Sequence, residues 1–159
     1  MSNPLKNVDL IQQNIAPMLK FSLPNLSCCI NAHFVIRTLP FISLQPIPKA
    51  PEYIQGLCNL YGQSVMVIDL AKYIGLDEPI NYSLNTPLII CSYNERLLGF
   101  IVENVDGIIK VDTDNIQLAD EFQHNSPVFS GTLITEGHSI MVLKIEKLFD
   151  CHFQEFNTN

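Results

Sequence analysis

The chain has 159 residues, 47% hydrophobic and 16% charged, enough apolar material for one domain or a pair of small fused lobes and too much for a disordered chain. The formal net charge is −7 and the nine Lys and Arg are scattered, so no basic face is visible for nucleic acid or an anionic membrane surface. No apolar run approaches the roughly 20 residues of a membrane helix. The start lacks a charged segment followed by an apolar one, and the five cysteines form no C-x-x-C; the reading is a protein of the reducing cytoplasm.

Leu5, Val8, Ile11, Ile15 and Leu19 recur at steps of three and four, which predicts an amphipathic helix over 4–19, with Pro4 in its first turn and Pro17 near its end. Residues 1–20 are read as a helical arm packed on the body. After it the pattern turns β. Cys28 to Ile36 is short and apolar, and Pro40, Pro46, Pro48 and Pro51 mark a stretch that is no central strand. The runs 57–60 and 64–70 flank Tyr61-Gly62-Gln63, with Gly62 at a turn or bulge. Asp69 to Gly75 reads as a strand end followed by one helical turn that stops at the glycine.

Residues 77–86 are polar and turn-rich. Leu88 to Tyr93 and Leu97 to Val102 flank Asn94-Glu95-Arg96, a hairpin, and Val105 to Val111 is a further strand. Residues 112–127 are polar and acidic, a long surface loop. Val128 to Thr135 and Ser139 to Ile145 flank Glu136-Gly137-His138, a second hairpin, and Glu146 to Phe149 opens a short terminal helix before a tail over 151–159. Many short strands with few helices predict an all-β barrel or sandwich.

Chemistry-bearing patterns are sparse. His33, His124, His138 and His152 have no partner at metal-ligand spacing, and there is no G-x-S-x-G, phosphate loop or paired-cysteine motif. Cys28-Cys29 sits in an apolar run and reads as buried thiols. Asp69 reads as a helix cap in preference to a general acid, and Asp112, Asp114, Asp120 and Glu121 as a solvated loop in preference to a calcium site. No enzyme, metal or cofactor is expected; the weight falls on a binding module.

One segment is specific. Ile47-Pro-Lys-Ala-Pro-Glu-Tyr-Ile-Gln-Gly-Leu-Cys-Asn-Leu-Tyr-Gly-Gln-Ser-Val-Met-Val-Ile-Asp-Leu-Ala-Lys-Tyr-Ile-Gly75 resembles the CheW-like domain of bacterial chemotaxis adaptors and kinases, whose pattern runs P-x-A-P…G-x-x-N-L-R-G…D-L. Leu98-Gly-Phe-Ile-Val-Glu-Asn-Val, Gly131 and Ile145-Glu-Lys-Leu148 follow in the family's order, so the resemblance covers about residues 21–150. It implies two intertwined five-stranded barrels of SH3-like type with a hydrophobic core between them, an N-terminal helix lying outside the match. It also implies a signalling adaptor that joins the cytoplasmic tip of a chemoreceptor to the regulatory domain of a histidine kinase, with self-association in arrays as a further possibility. The alternative is a divergent module of a type IV pilus or other taxis-like system that no longer couples a kinase.

The departures from the pattern matter most. Tyr61 stands where the family has the Arg of N-L-R-G, an Arg associated with receptor contact, so charge-directed binding is expected to be lost there. Met66 replaces a Pro, Glu103 an Asp, and Arg37 falls where the family carries a Glu. The paired change at 37 and 61 points to a rewired partner surface. Candidate contact residues are Asn59, Leu60, Tyr61 and Gln63 around the turn, Val35, Ile36 and Arg37 on the earlier strand, and Gly99. The competing reading is core for Leu60, a backbone requirement for Gly99, and a strand with one wet face for 35–37.

Overall fold

The computed structural model describes residues 14–40, 42–118 and 128–150. Its first strand, β1 (Ile15–Leu23), overturns the helical expectation for the end of the arm. Leu19, Phe21 and Leu23 point inward at every second residue, a strand period that the step-of-four match between Ile15 and Leu19 had concealed. Pro17 is tolerated because only β8 pairs with β1 there; pairing with β2 begins at Met18, so one ladder alone bears the missing N–H. The rest of the predicted arm, residues 1–13, and the tail over 151–159 lie outside the described residues.

Most remaining elements fall close to the expected places, but the apolar run Cys28 to Ile36 is divided between two strands by a 3₁₀ turn at Ala32–Phe34. The elements are β2 (Leu26–Asn31), β3 (Val35–Pro40), β4 (Ile54–Leu60), β5 (Gln63–Asp69), α1 (Leu70–Ile74), β6 (Pro87–Tyr93), β7 (Arg96–Ile101), β8 (Asn104–Asp112), β9 (Ile116–Gln117), β10 (Phe129–Thr135), β11 (His138–Leu143) and α2 (Ile145–Phe149). Of the predicted surface loop over 112–127, the described part holds a single 3₁₀ turn at Thr113–Asn115 and then β9; residues 119–127 lie outside the description.

Two sheets result. One has six strands in the order β8-β1-β2-β11-β10-β9, the other five in the order β3-β6-β7-β5-β4. The sixth strand of the first sheet is the two-residue β9, an addition to the five that the resemblance implied. The chain leaves the first sheet after β2, builds the whole second sheet, and returns at β8, which is the sense in which the barrels intertwine. Tight hairpins set the register. Tyr61-Gly62, Asn94-Glu95 and Glu136-Gly137 each place two successive residues at positive φ, the twist that two-residue β-hairpins prefer.

Why the strands read as apolar runs and not as alternating patterns follows from the packing. In the first sheet, Met18, Cys29, Leu133, Ile140 and Val142 share one small cluster inside the barrel. Their neighbours Leu19, Phe21, Cys28, Ile30, Met141 and Leu143 face the other way, into a large cluster shared with the second sheet. The Phe21 and Phe100 rings meet there at 5.8 Å. Strands buried on both faces have no polar side to show. The sequential cysteines Cys28 and Cys29 are therefore both buried, one on each face.

Candidate protein-binding surface

The groups that carry chemistry elsewhere are here committed to the fold. Asp69 is 1% exposed and caps α1, its carboxylate accepting the Lys72 backbone N–H at 3.0 Å and the Tyr82 hydroxyl proton. Gly75, at φ 81°, closes the same helix in the left-handed conformation. The Tyr82 hydroxyl is held well above the ordinary tyrosine range, first by desolvation and then by its hydrogen bond to, and the negative charge of, Asp69. Burial pushes the Cys29 thiol up to about 11 and Cys91 to about 12. Cys28 is raised further, by burial and by its neighbour Cys29. Such thiols stay protonated and inert at neutral pH. Among the described residues no group of three His, Cys, Asp or Glu is placed to hold a metal ion.

The described residues leave several large apolar side chains exposed, Leu84, Ile108, Leu118 and Ile134 among them, and Tyr61 on the β4–β5 turn is another. Tyr61 is 82% exposed, yet its backbone sits at φ 50°, a conformation that costs a bulky side chain on the order of 1 kcal/mol. Asn59 holds the turn by accepting the Gly62 N–H on its Oδ1 at 2.9 Å. Leu60, next to Tyr61, points inward at 9% exposure and Gln63 is exposed. A turn that fixes two residues at positive φ thus anchors itself with Leu60 and Asn59 and offers the tyrosine ring to solvent.

Arg37 meets that ring from β3. Its Nη1 donates to the Tyr61 hydroxyl, and its guanidinium carbon lies 5.6 Å from the ring centroid. The strands involved are at opposite ends of the sheet order, β3 at one edge and β4 at the other, so this contact exists only because the sheet curls. A bulge prepares it. The β3–β6 register jumps between Val35 and Arg37, leaving Ile36 without a partner on β6 and 49% exposed.

The predicted contact residues therefore separate. Asn59, Tyr61, Gln63, Ile36 and Arg37 are exposed, Arg37 touching Tyr61, and Val35 is half-buried. Leu60 belongs to the core cluster. Gly99 is removed from the surface altogether. A Cβ there meets Ile90 Cδ1 at 3.0 Å, Leu88 Cδ1 at 3.2 Å and Val67 Cγ2 at 3.3 Å, so the glycine admits three packed side chains inside the second barrel. At position 61, where the family's cation is replaced by tyrosine, Arg37 places a cation beside the ring. Sequence spacing gave no sign of this pair, whose members are 24 residues apart.

The profile of the CheW-like domain family matches residues 17–152. A chemotaxis protein CheW of Thermotoga maritima is 23% identical over 135 residues, 84% of this chain and 87% of that protein. One of Rhizobium meliloti is 24% identical over 144 residues, 87% of this chain and 90% of its own. The crystal structure of the scaffolding protein TtCheW from Thermoanaerobacter tengcongensis superposes with a TM-score of 0.78 at 26% identity, covering 86% of this chain and 94% of that one. The fold, the intertwined order of its strands and the profile match over nearly the whole described chain agree: the chain belongs to the CheW-like domain family.

Proposed function

We propose that this chain is a non-enzymatic signalling adaptor that couples a chemoreceptor to a histidine kinase in a chemotaxis-type pathway, and that Tyr61, Arg37, Ile36, Asn59 and Gln63 form a surface it uses to do so. The observation that carries the reading is the tyrosine ring itself, 82% exposed with no role in the core, held by Arg37 on a turn that Asn59 ties down. Support comes from the resemblance to a scaffolding protein and to chemotaxis proteins over most of their length. The work of such a protein is to hold partners together through apolar and aromatic anchors with a few directional groups. It takes place on the cytoplasmic side, where a receptor tip and a kinase regulatory domain are both reachable.

The test is a binding titration of the purified chain against the regulatory domain of a histidine kinase and the cytoplasmic tip of a chemoreceptor from its own genome. Wild type is expected to bind both, and Tyr61→Ala to lose the receptor tip while keeping the kinase domain and its own melting temperature. A folded wild type that binds neither sinks the adaptor reading. One that binds the tip alone leaves a module that no longer couples a kinase.

A further inference from the structure

We infer that Arg37 is the specificity-determining cation of this surface, aimed by Tyr61 at a carboxylate on the docking segment of the receptor tip. This rests on the adaptor reading above and goes beyond it by naming the group and the chemistry it selects. A guanidinium carries five N–H donors in a planar fork that matches a carboxylate with two parallel hydrogen bonds. Here one nitrogen donates to the Tyr61 hydroxyl and the guanidinium carbon lies 5.6 Å from the Tyr61 ring centroid, so the tyrosine restricts where the fork can reach. Among the described residues Arg37 has Tyr61 as its partner in both contacts and no carboxylate, and it stands exposed on β3. In a chain of net charge −7 that is a cation left without its anion.

The surroundings fit one kind of ligand. The Tyr61 ring is 82% exposed against the guanidinium, and Ile36, next to Arg37 in the chain, is 49% exposed, so the cation is framed by a ring it touches and an apolar residue beside it in sequence. Such a frame strips water from an arriving carboxylate and favours an acidic side chain flanked by apolar ones over a free acid. The turn geometry keeps the frame rigid, since Asn59 ties the Gly62 N–H and Leu60 is packed below. Tyr61 is on this account a positioning residue, and Arg37 the contact.

The experiment titrates the full chain calorimetrically with the purified receptor tip at about 0.05 and about 0.3 M salt, where exposed charges are screened to different degrees. Wild-type affinity is expected to fall with salt. Arg37→Gln is expected to weaken binding at least about tenfold and to flatten the salt dependence, with the melting temperature unchanged. Tyr61→Phe, which keeps the ring and drops the hydroxyl, loses less and retains the salt dependence. Arg37→Glu binds a tip in which one Asp or Glu has been reversed to Lys, and that rescue identifies the carboxylate. Wild-type affinity and salt slope in Arg37→Gln overturn this inference while the adaptor reading stands. A wild type that fails to bind the tip overturns the inference, and one that also fails to bind the kinase domain overturns the adaptor reading with it. Should Arg37→Gln fold poorly, Arg37→Lys keeps the charge and lacks the fork, and wild-type affinity in that variant overturns the inference equally.

Discussion

The two barrels are built on the same register with different side chains at their tips. Strands β8, β1, β2, β11 and β10 of the first sheet follow in the same order, with the same parallel and antiparallel partners, as β3, β6, β7, β5 and β4 of the second. The correspondence reaches single residues. In the β4–β5 hairpin the pairing jumps between Ile54 and Gly56, and in the β10–β11 hairpin between Phe129 and Gly131. Each glycine lies against a glutamine carbonyl, Gln45 and Gln117, so close that a Cβ would come within 2.4 Å of the oxygen. Tyr61-Gly62 at one tip then answers to Glu136-Gly137 at the other, with φ values of 50° and 82° against 51° and 78°. The backbone device is duplicated while the chemistry it presents is not. One tip offers an aromatic ring under a guanidinium; the other offers a carboxylate. Folding requirements account for what the two share; the proposed partner surface uses what they do not.

If the glycine device is truly common to both barrels, breaking it should hurt both, and unequally. Gly56→Ala faces the 2.4 Å contact and also a backbone at φ 146°, whereas Gly131→Ala faces the contact alone. The expected losses are about 3–5 kcal/mol for Gly56→Ala, from strain and overpacking together, and about 1–3 kcal/mol for Gly131→Ala from overpacking. Urea unfolding of the two variants checks this; equal losses would show that the carbonyl contact dominates and the backbone angle does not matter.

The cores offer the next comparison. Cys28 and Cys29 lie on β2 of the first sheet and Cys91 on β6 of the second. All three are held protonated by burial, with pKa values raised above the ordinary 9.0. A raised pKa in the folded state means the unfolded chain releases protons first. The stability these thiols contribute is therefore present in full below about pH 9 and lost as pH rises, through about 11 for Cys29 and about 12 for Cys91. Each is expected to remove about 1 kcal/mol between pH 9 and 10, approaching the limiting slope of 1.4 kcal/mol per unit. The urea midpoint followed from pH 8 to 10 measures the fall. Cys29→Ala and Cys91→Ala should flatten it by similar amounts, and a slope untouched by either would place the alkaline sensitivity elsewhere.

The same comparison explains what could be read in advance. The hairpin at Asn94-Glu95 and the turn containing Gly62 were legible because polar and glycine residues interrupt apolar runs at the spacing that turns require. Asp69 and Gly75 were legible as the ends of α1 because capping is local chemistry. β1 was not, since Ile15 and Leu19 satisfy a helical step and an even strand step at once, and only the pairing with β2 and β8 decides. The departures at 37 and 61 mark the two positions together, but the contact between Arg37 and Tyr61 was not legible. It joins strands at opposite edges of a sheet, and curling is a property of the whole barrel that no short window carries. Gly99 misled for a related reason. A glycine in a matching motif can signal a contact or a crowded interior, and here Ile90, Leu88 and Val67 fill the space above it.

Each barrel follows the second strand of its glycine-bearing hairpin, β5 or β11, with a five-residue helix, and here the duplication is incomplete. Asp69 caps α1, while the equivalent residue before α2 is Lys144, whose side chain makes no capping hydrogen bond. Asp69→Ala should cost about 2 kcal/mol, since it removes the cap and leaves the Tyr82 hydroxyl without that acceptor. Lys144→Ala should be nearly neutral in the same denaturation assay.

The converse substitution is the finer probe of whether the two halves are interchangeable. Lys144 is exposed, has φ −105° and ψ 114°, and so already holds the extended conformation that an N-cap residue needs; Asp69 holds nearly the same, φ −90° and ψ 110°. Lys144→Asp places a carboxylate where the Lys147 N–H stands in the role of the Lys72 N–H, and exchanges a cation for an anion at the positive end of the helix. The expected gain is about 0.5–1 kcal/mol, seen as a rise in urea midpoint with no change in slope. A loss would mean that the first barrel's helix start is tuned to something other than capping, and that the likeness of the two barrels ends at their backbones.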